Sequence, residues 1–389
     1  MEEQNNQSNG PGNRRSFLKK GFAVAGMGAL GAGVLASDLT VFGDEEQGER
    51  SGRLTRGDAA ILRFLAAAEI IESDLWLQYA ELGGAQTQPD GSPANELPGL
   101  PTGGNAAYTN ALSQLDEDMP QYISDNTEDE FSHWHFLNAY LASKGADIVN
   151  LDHHRILPSS KATGANQIGR LTNLMNLTVD TSWYTRYRSR DRNPDLSPTL
   201  TFAQAVQGLA KGKFPAIPRN NADLGPNDHI QAIANTAGFH FGFIEQGGTS
   251  LYPQLAQRVT DPEVLRILLS IGPTEACHFQ TWHDKAGNAV ADPLAPLTDP
   301  TNGLFFPNLN LLGSEDFQTN LIMPEPVPFL NAARLPPCSI VRPTATSNAA
   351  MAAVHSLVAD GLFFHQSKQF IELLFDFASD ADQARRGGA

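Results

Sequence analysis

Cationic side chains are scarce in this chain. Its 389 residues set only 27 Lys and Arg against 43 Asp and Glu, for a formal charge of −16. Nucleic acid binding needs clustered Lys and Arg, so the balance argues against that partner, and equally against docking on an anionic lipid surface. Cysteine is scarcer still. Cys277 and Cys338 are too few for a disulfide framework or a four-cysteine zinc site, leaving one bridge or two free thiols. Beyond residue 36 there is no apolar run long enough to span a bilayer. Signatures of other chemistries are also missing: no Gly-x-Ser-x-Gly elbow, no His-Glu-x-x-His zincin pair and no Gly-rich phosphate loop. What is present, 41% hydrophobic residues with 34 Gly and 25 Pro, describes a loop-rich globular protein, one large domain or two modest ones.

The N-terminus reads as an address. After a polar stretch come Asn13-Arg14-Arg15-Ser16-Phe17-Leu18-Lys19-Lys20 and then a mild, Gly- and Ala-diluted apolar run from Gly21 to Leu35. About 15 residues fall short of the roughly 20 that a spanning helix requires. The paired arginines resemble a twin-arginine export signal, which implies a periplasmic or otherwise exported protein and the twin-arginine export machinery as a partner. That route carries folded proteins, often loaded with a cofactor.

Beyond a polar linker at 37–56, helical periodicity dominates. One pattern covers Asp58 to Leu82, with Asp58 as N-cap and Gly83-Gly84 as stop. A second runs from Thr127, heading a Thr-Glu-Asp-Glu capping box, to Ser143, and a third from Asp228 to Val259 with Pro253 as a kink point. The fourth covers Pro262 to Lys285, interrupted at Gly272-Pro273. Gln86 to Asn105 reads as loop, Gln167–Asp180 and Phe202–Ala210 as short helical pieces, and 288–345 as irregular and Pro-rich. Asn348 to Ala381 predicts a final amphipathic helix with Gly361 as a break point. No convincing strand is expected.

Each long helical pattern carries an acid on its apolar face. The first has Glu69 and Glu72, the second Glu130-Phe131-Ser132-His133, the third Glu245, and the fourth Glu275-Ala276-Cys277-His278. Residues three apart share a helix face, so each Glu-x-x-His pair can offer a carboxylate and an imidazole to one ion. Two such pairs plus one Glu from each of two other helices form the ligand set of a di-iron or di-manganese carboxylate site in a four-helix bundle. Two Glu-x-x-His pairs are a weak excess over chance for this composition. Their order, one element per helix, is the stronger signal. Tyr79 follows Glu72 by seven residues and Tyr252 follows Glu245 by seven, so each tyrosine lines its glutamate's stripe.

On these residues the sequence resembles the ferritin-like superfamily, and within it the desiccation-related branch of exported proteins. Ala68-Glu69-Ile70-Ile71-Glu72-Ser73-Asp74-Leu75-Trp76 matches that branch's first-helix phrase, and Asp129-Glu130-Phe131-Ser132-His133 its second. The likeness covers about 58–84, 126–146 and 227–286. It implies an all-α, ferritin-like four-helix bundle over 57–286 with insertions at 85–110 and 146–225, followed by a Pro-rich segment and an extra C-terminal helix over 287–389. It also implies metal roles for Glu130, His133, Glu245, Glu275 and His278. Both Glu69 and Glu72 match family acids: Tyr79 favours Glu72 and Trp76 favours Glu69.

The other candidates read as structural. His135, His240 and His283 are expected to be satisfied histidines, His153-His154 exposed, Cys277 a small core residue, and Glu81, Glu117, Glu263 and Glu372 surface charges. Two iron ions, or alternatively manganese, would neutralise the buried carboxylates. The expected activity is that of an oxidoreductase working on O₂, peroxide or Fe(II), ferroxidase-, peroxidase- or catalase-like. A reading from another class is a stress or desiccation protein whose helices form a scaffold with a vestigial or structural metal. Iron storage ranks third, because the insertions would crowd a closed cage. Homo-oligomerisation is left open.

Overall fold

The computed structural model describes residues 50–88, 90–187, 201–309 and 348–387, with the backbone of 320–323 and 338–341. The expected export signal, the linker up to residue 49 and the side chain of Cys338 lie outside the described residues, as does most of 310–347. The chain is mostly helical. Its helices are α1 (Arg56–Gly83), α2 (Ala106–Leu115), α3 (Met119–Lys144), α4 (Ser182–Tyr187), α5 (Asn227–Ala256), α6 (Pro262–Ala286), α7 (Ala349–Asp360) and α8 (Lys368–Gln383). Two small antiparallel pairs accompany them: Leu297–Thr298 with Phe305–Phe306, and Asn320–Met323 with Cys338–Val341. Among the described residues no helix is long and apolar enough to cross a membrane.

The longest packing interfaces join α1 to α3 and α5 to α6. The cap of α1 is Thr55 rather than Asp58. Its hydroxyl accepts from the Asp58 N–H at 3.0 Å and donates to that carboxylate at 2.9 Å. Asp58 also accepts the N–H groups of Thr260 and Asp261 at 2.8 and 3.0 Å, tying the start of α1 to the α5–α6 turn. Helix α3 begins eight residues before Thr127, at Met119, with Pro120 in its first turn. The capping-box pattern sits mid-helix because the Thr127 hydroxyl bonds back to the Ile123 carbonyl at 2.6 Å instead of capping. Helices α5 and α6 run unbroken through Pro253 and Pro273. Gly272 serves close packing, since a Cβ there would lie 2.7 Å from Tyr252 Cβ.

Between the helix pairs lies an aromatic knot. Trp76 stacks on Trp282 at 5.4 Å and packs on Phe241 at 4.9 Å, while Tyr79 meets Phe241 edge-on at 4.6 Å. Complete burial of a side chain such as Phe241 stabilises the fold by about 1.5–3 kcal/mol.

The segment 146–225 is clamped to α1 by a buried polar stripe at helical spacing, Asp74, Gln78 and Glu81. Asp74 accepts from Leu171 N and Thr172 N at 3.0 Å each, Thr172 Oγ1 at 2.7 Å, Arg155 Nη1 at 2.6 Å and Gln78 Nε2 at 3.4 Å. Arg170 Nη2 reaches both oxygens of Glu81 at 2.5 and 2.6 Å. Glu81 is therefore a buried partner of Arg170 rather than a surface charge, whereas Glu117, Glu263 and Glu372 are exposed as expected. The same clamp explains why 167–180 is not helical. Leu171, Leu174 and Leu177 recur every third residue and are all buried. Their backbone, however, bonds outward, to Asp74 and through the reciprocal 2.8 Å pair between Leu177 and Phe214. Residues 202–210 are not helical but extend into a bend and a turn at 205–210, and α2 and α4 are helices that periodicity did not reveal.

The C-terminal helix is two helices. Gly361, at φ 90°, ends α7 in the left-handed region, and Ser367 caps α8. Helix α8 packs on α1 and α7 on α8 and α5.

Candidate metal centre

Glu69 on α1, Glu130 and His133 on α3, Glu245 on α5, and Glu275 and His278 on α6 all point into one space. Ligand atoms of Glu69, Glu130, His133 and Glu275 lie within 4.8 Å of one another, and so do those of Glu130, Glu245, Glu275 and His278. Glu130 and Glu275 belong to both groups, which makes the arrangement two overlapping sites with a shared pair of carboxylates. Glu72 joins neither group. It stands close by, with Oε1 buried and without a hydrogen-bond partner. All four grouped glutamates are buried, against the usual fate of Glu.

The helices set this up by simple periodicity. Three residues bring each histidine one turn beyond its glutamate, and both present Nδ1. His133 Nδ1 is 3.2 Å from Glu69, 3.0 Å from Glu130 and 3.4 Å from Glu275. His278 Nδ1 is 3.0 Å from Glu130 and 3.3 Å from Glu245. Neither approach of His278 has hydrogen-bond geometry. His278 Nδ1, Glu245 Oε2 and both oxygens of Glu275 are buried without hydrogen-bond partners. Four polar atoms left without partners in a buried space are costly unless something completes them.

Surrounding groups hold the ligands in place. Asp129 accepts from His278 Nε2 at 3.0 Å, which leaves Nδ1 as the nitrogen facing inward. Asn126 donates to Glu130 Oε1 at 2.8 Å and Glu245 Oε1 at 3.0 Å, and its own carbonyl is fixed by Trp282 Nε1 at 2.7 Å. Trp76 Nε1 donates to Glu245 Oε1 at 3.1 Å, and the Tyr252 hydroxyl to Glu69. Gly248 makes room for Glu275: a Cβ there would sit 2.3 Å from Glu275 Oε2. Sequence reading missed Asp129, Asn126 and Gly248. Asp129 directly precedes the Glu-x-x-His pair, and Asn126 lies one turn before Glu130, so helical spacing could have flagged both.

Electrostatics carry the strain of this crowding. Burial, then the neighbouring acids, push Glu72 and Glu275 well above the ordinary carboxylate range. Burial raises Glu130 to about 7 despite the opposing pull of His133. Glu69 also suffers burial, but His133, Glu130 and Tyr252 bring it below its usual value. Burial alone would lower His133, yet Glu69 and Glu130 carry it up to about 12, and Glu245 with Asp129 likewise lifts His278 well above normal. Protons thus occupy the space that cations would neutralise. Carboxylate oxygens with two imidazole nitrogens are a donor set suited to iron or manganese.

The other histidines divide. His240 is buried with Nδ1 2.8 Å from the Tyr79 hydroxyl, and burial holds it down to about 3, a neutral structural ring. His283 is buried against Phe279 and Tyr184. His135 is exposed instead, and of the His153-His154 pair only His154 is partly covered, by Phe370 at 5.2 Å. Cys277 is a free, exposed thiol, because position 277 turns away from the face that 275 and 278 share; this removes both the core reading and the bridge to Cys338.

Comparison with protein-family models, with curated proteins and with solved structures finds no match for this chain.

Proposed function

We propose that the chain is an exported, ferritin-like four-helix-bundle protein that carries a carboxylate- and histidine-held pair of iron or manganese ions and uses them in redox chemistry with O₂, peroxide or Fe(II). The observation that carries this reading is the pair of overlapping donor groups sharing Glu130 and Glu275, with four buried ligand atoms left bare. Glu69 with His133 would serve one ion, Glu245 with His278 the other, and Glu130 and Glu275 both. Such ions, when bound, supply one-electron redox chemistry and Lewis acidity that protein side chains lack.

The chain's own residues supply everything else. Asp129 fixes the tautomer of His278, Asn126 and Trp76 occupy one oxygen of Glu245 so that the other faces inward, and Tyr252 holds Glu69 in orientation. The aromatic knot of Trp76, Phe241 and Trp282 walls off one side of the site from water. The paired arginines at 14–15 support export after folding.

The test is metal analysis of natively exported protein by mass spectrometry. About two iron or manganese ions per chain are expected, with oxidase, ferroxidase or catalase activity that Glu130→Ala abolishes. A folded, metal-free chain whose melting temperature ignores added Fe(II) or Mn(II) would overturn the reading and favour the scaffold alternative.

A further inference from the structure

Beside the carboxylate–histidine cluster lies a cavity of about 210 Å³, bounded by α1, α5, α7 and α8. Its walls are mainly apolar and buried, with Phe64, Ile71, Leu75, Val354, Leu362 and Leu374, and Gln246, Ser250 and Ser356 add polar groups to the lining. Its inner end is not apolar. Glu69, Glu72 and Tyr252 line it there, so the cavity opens directly onto one flank of the cluster. No Lys or Arg is among the described residues that line it.

The space exists because small residues make it. Gly247 on α5 lines it, and a Cβ built there would meet nothing within 4 Å. Alanines 349, 352 and 353 form the α7 side. Helix interiors favour alanine or a larger side chain over glycine by about 0.5–1 kcal/mol, so Gly247 carries a cost that local stability does not explain. An open volume next to reactive ligands does explain it.

We propose that this cavity binds a neutral, mainly apolar organic molecule with one hydrogen-bonding group, placed against Glu72 as a substrate of the metal centre; the substrate role rests on the function proposed above. Size sets the scale. A dry cavity of about 150 Å³ holds benzene, so this one suits roughly eight or nine non-hydrogen atoms. Charge sets the chemistry. The acidic inner end, with no cationic wall, rejects a carboxylate or phosphate head, and the aliphatic and aromatic walls favour hydrocarbon surface. Glu72 Oε1, buried and without a partner, is the atom that a single donor group on the ligand would satisfy.

Indole is a fitting probe, with an apolar body and one N–H donor. Titration calorimetry on the full chain is expected to show saturable 1:1 indole binding. Gly247→Leu and Ala353→Leu each fill the cavity and are expected to weaken that binding at least tenfold while unfolding cooperatively by circular dichroism. Indole-3-carboxylate is expected to bind at least tenfold more weakly than indole. Absence of saturable binding, equal binding by both filled variants, or equal binding of the carboxylate overturns the proposal. Two further measurements separate it from the metal reading. Indole binding that persists in Glu130→Ala supports the cavity whether or not the wild-type chain takes up metal. In chain loaded with Co(II), indole is expected to perturb the visible spectrum, and an unchanged spectrum at saturating indole overturns the substrate role.

Discussion

Asp74 and Glu275 are both fully buried acids, and they could hardly be treated more differently. Asp74 accepts five hydrogen bonds, from two backbone N–H groups, Thr172, Gln78 and Arg155. Glu275 accepts none, although it stands 3.4 Å from His133 and shares its space with three other carboxylates. The first pattern is that of an acid recruited for structure: every lone pair is answered by the chain, and the segment 146–225 is held on α1 as a result. The second is that of an acid held ready for something not made of protein. A buried acid is informative only through its partners.

Breaking each side of the contrast should give opposite outcomes. Glu130→Ala removes a carboxylate common to both donor groups, so the expected effect is total, from about two ions per chain to none by mass spectrometry. Retention of both ions would sever the link between this cluster and metal. On the structural side, Glu81→Ala leaves Arg170 buried and uncompensated, at a cost of about 3–5 kcal/mol in denaturant unfolding. Asp74→Ala orphans several donors and should cost about as much. Glu275→Gln, by contrast, replaces a carboxyl that burial already holds well above the ordinary range and removes no hydrogen bond, so the metal-free chain should be no less stable, within about 1 kcal/mol, while its metal affinity collapses. Comparable destabilisation by Glu81→Ala and Glu275→Gln in metal-free protein would erase the distinction.

The site was more legible than the scaffold around it, and geometry says why. Glu130 with His133 and Glu275 with His278 are related by one helical turn, a relation that sequence spacing carries by itself. The choice between Glu69 and Glu72 depends on what comes across from other helices, His133 from α3 and Tyr252 from α5, and no spacing within α1 encodes that. Glu81 was misread for the same reason: its partner Arg170 is 89 residues away, and a helix periodicity reports a face without its neighbour. The start of α3 was misplaced because Thr127 offers a capping hydroxyl that the folded chain uses within the helix. Residues 167–180 imitate helical spacing while their backbone bonds go to Asp74 and Phe214, a tertiary choice that overrides local pattern.

A subtler probe concerns orientation rather than ligation. Asp129→Asn keeps the size of the group that holds His278 Nε2 but can no longer fix the tautomer by charge. Metal affinity should fall about 10–100-fold with little change in fold, as usual for a residue that orients a ligand. Competition with a chelator of known affinity measures this, and an unchanged affinity would remove Asp129 from the site.

The smallest effect is also the most diagnostic of sign. In the metal-free chain Glu130 titrates near 7 instead of 4.5 and His133 near 12 instead of 6.5, both raised above their unfolded values. The folded chain therefore holds extra protons between 4.5 and 7 at the first group and between 6.5 and 12 at the second. Stability from these groups is fullest below each window and drains as pH climbs through it. His240, lowered to about 3, works the other way, but its contribution is complete by pH 6.5. From pH 6.5 to 8 the metal-free protein should thus lose stability, on the order of 1 kcal/mol per pH unit from His133 alone, with the raised Glu72, Glu275 and His278 adding to the loss in the same direction. Mn(II) reverses the slope, because an ion binds where protons have left and its affinity rises as they leave. Scanning calorimetry across that range, with and without Mn(II), should give two curves that diverge with pH; parallel curves would mean that the ion and the protons occupy different places.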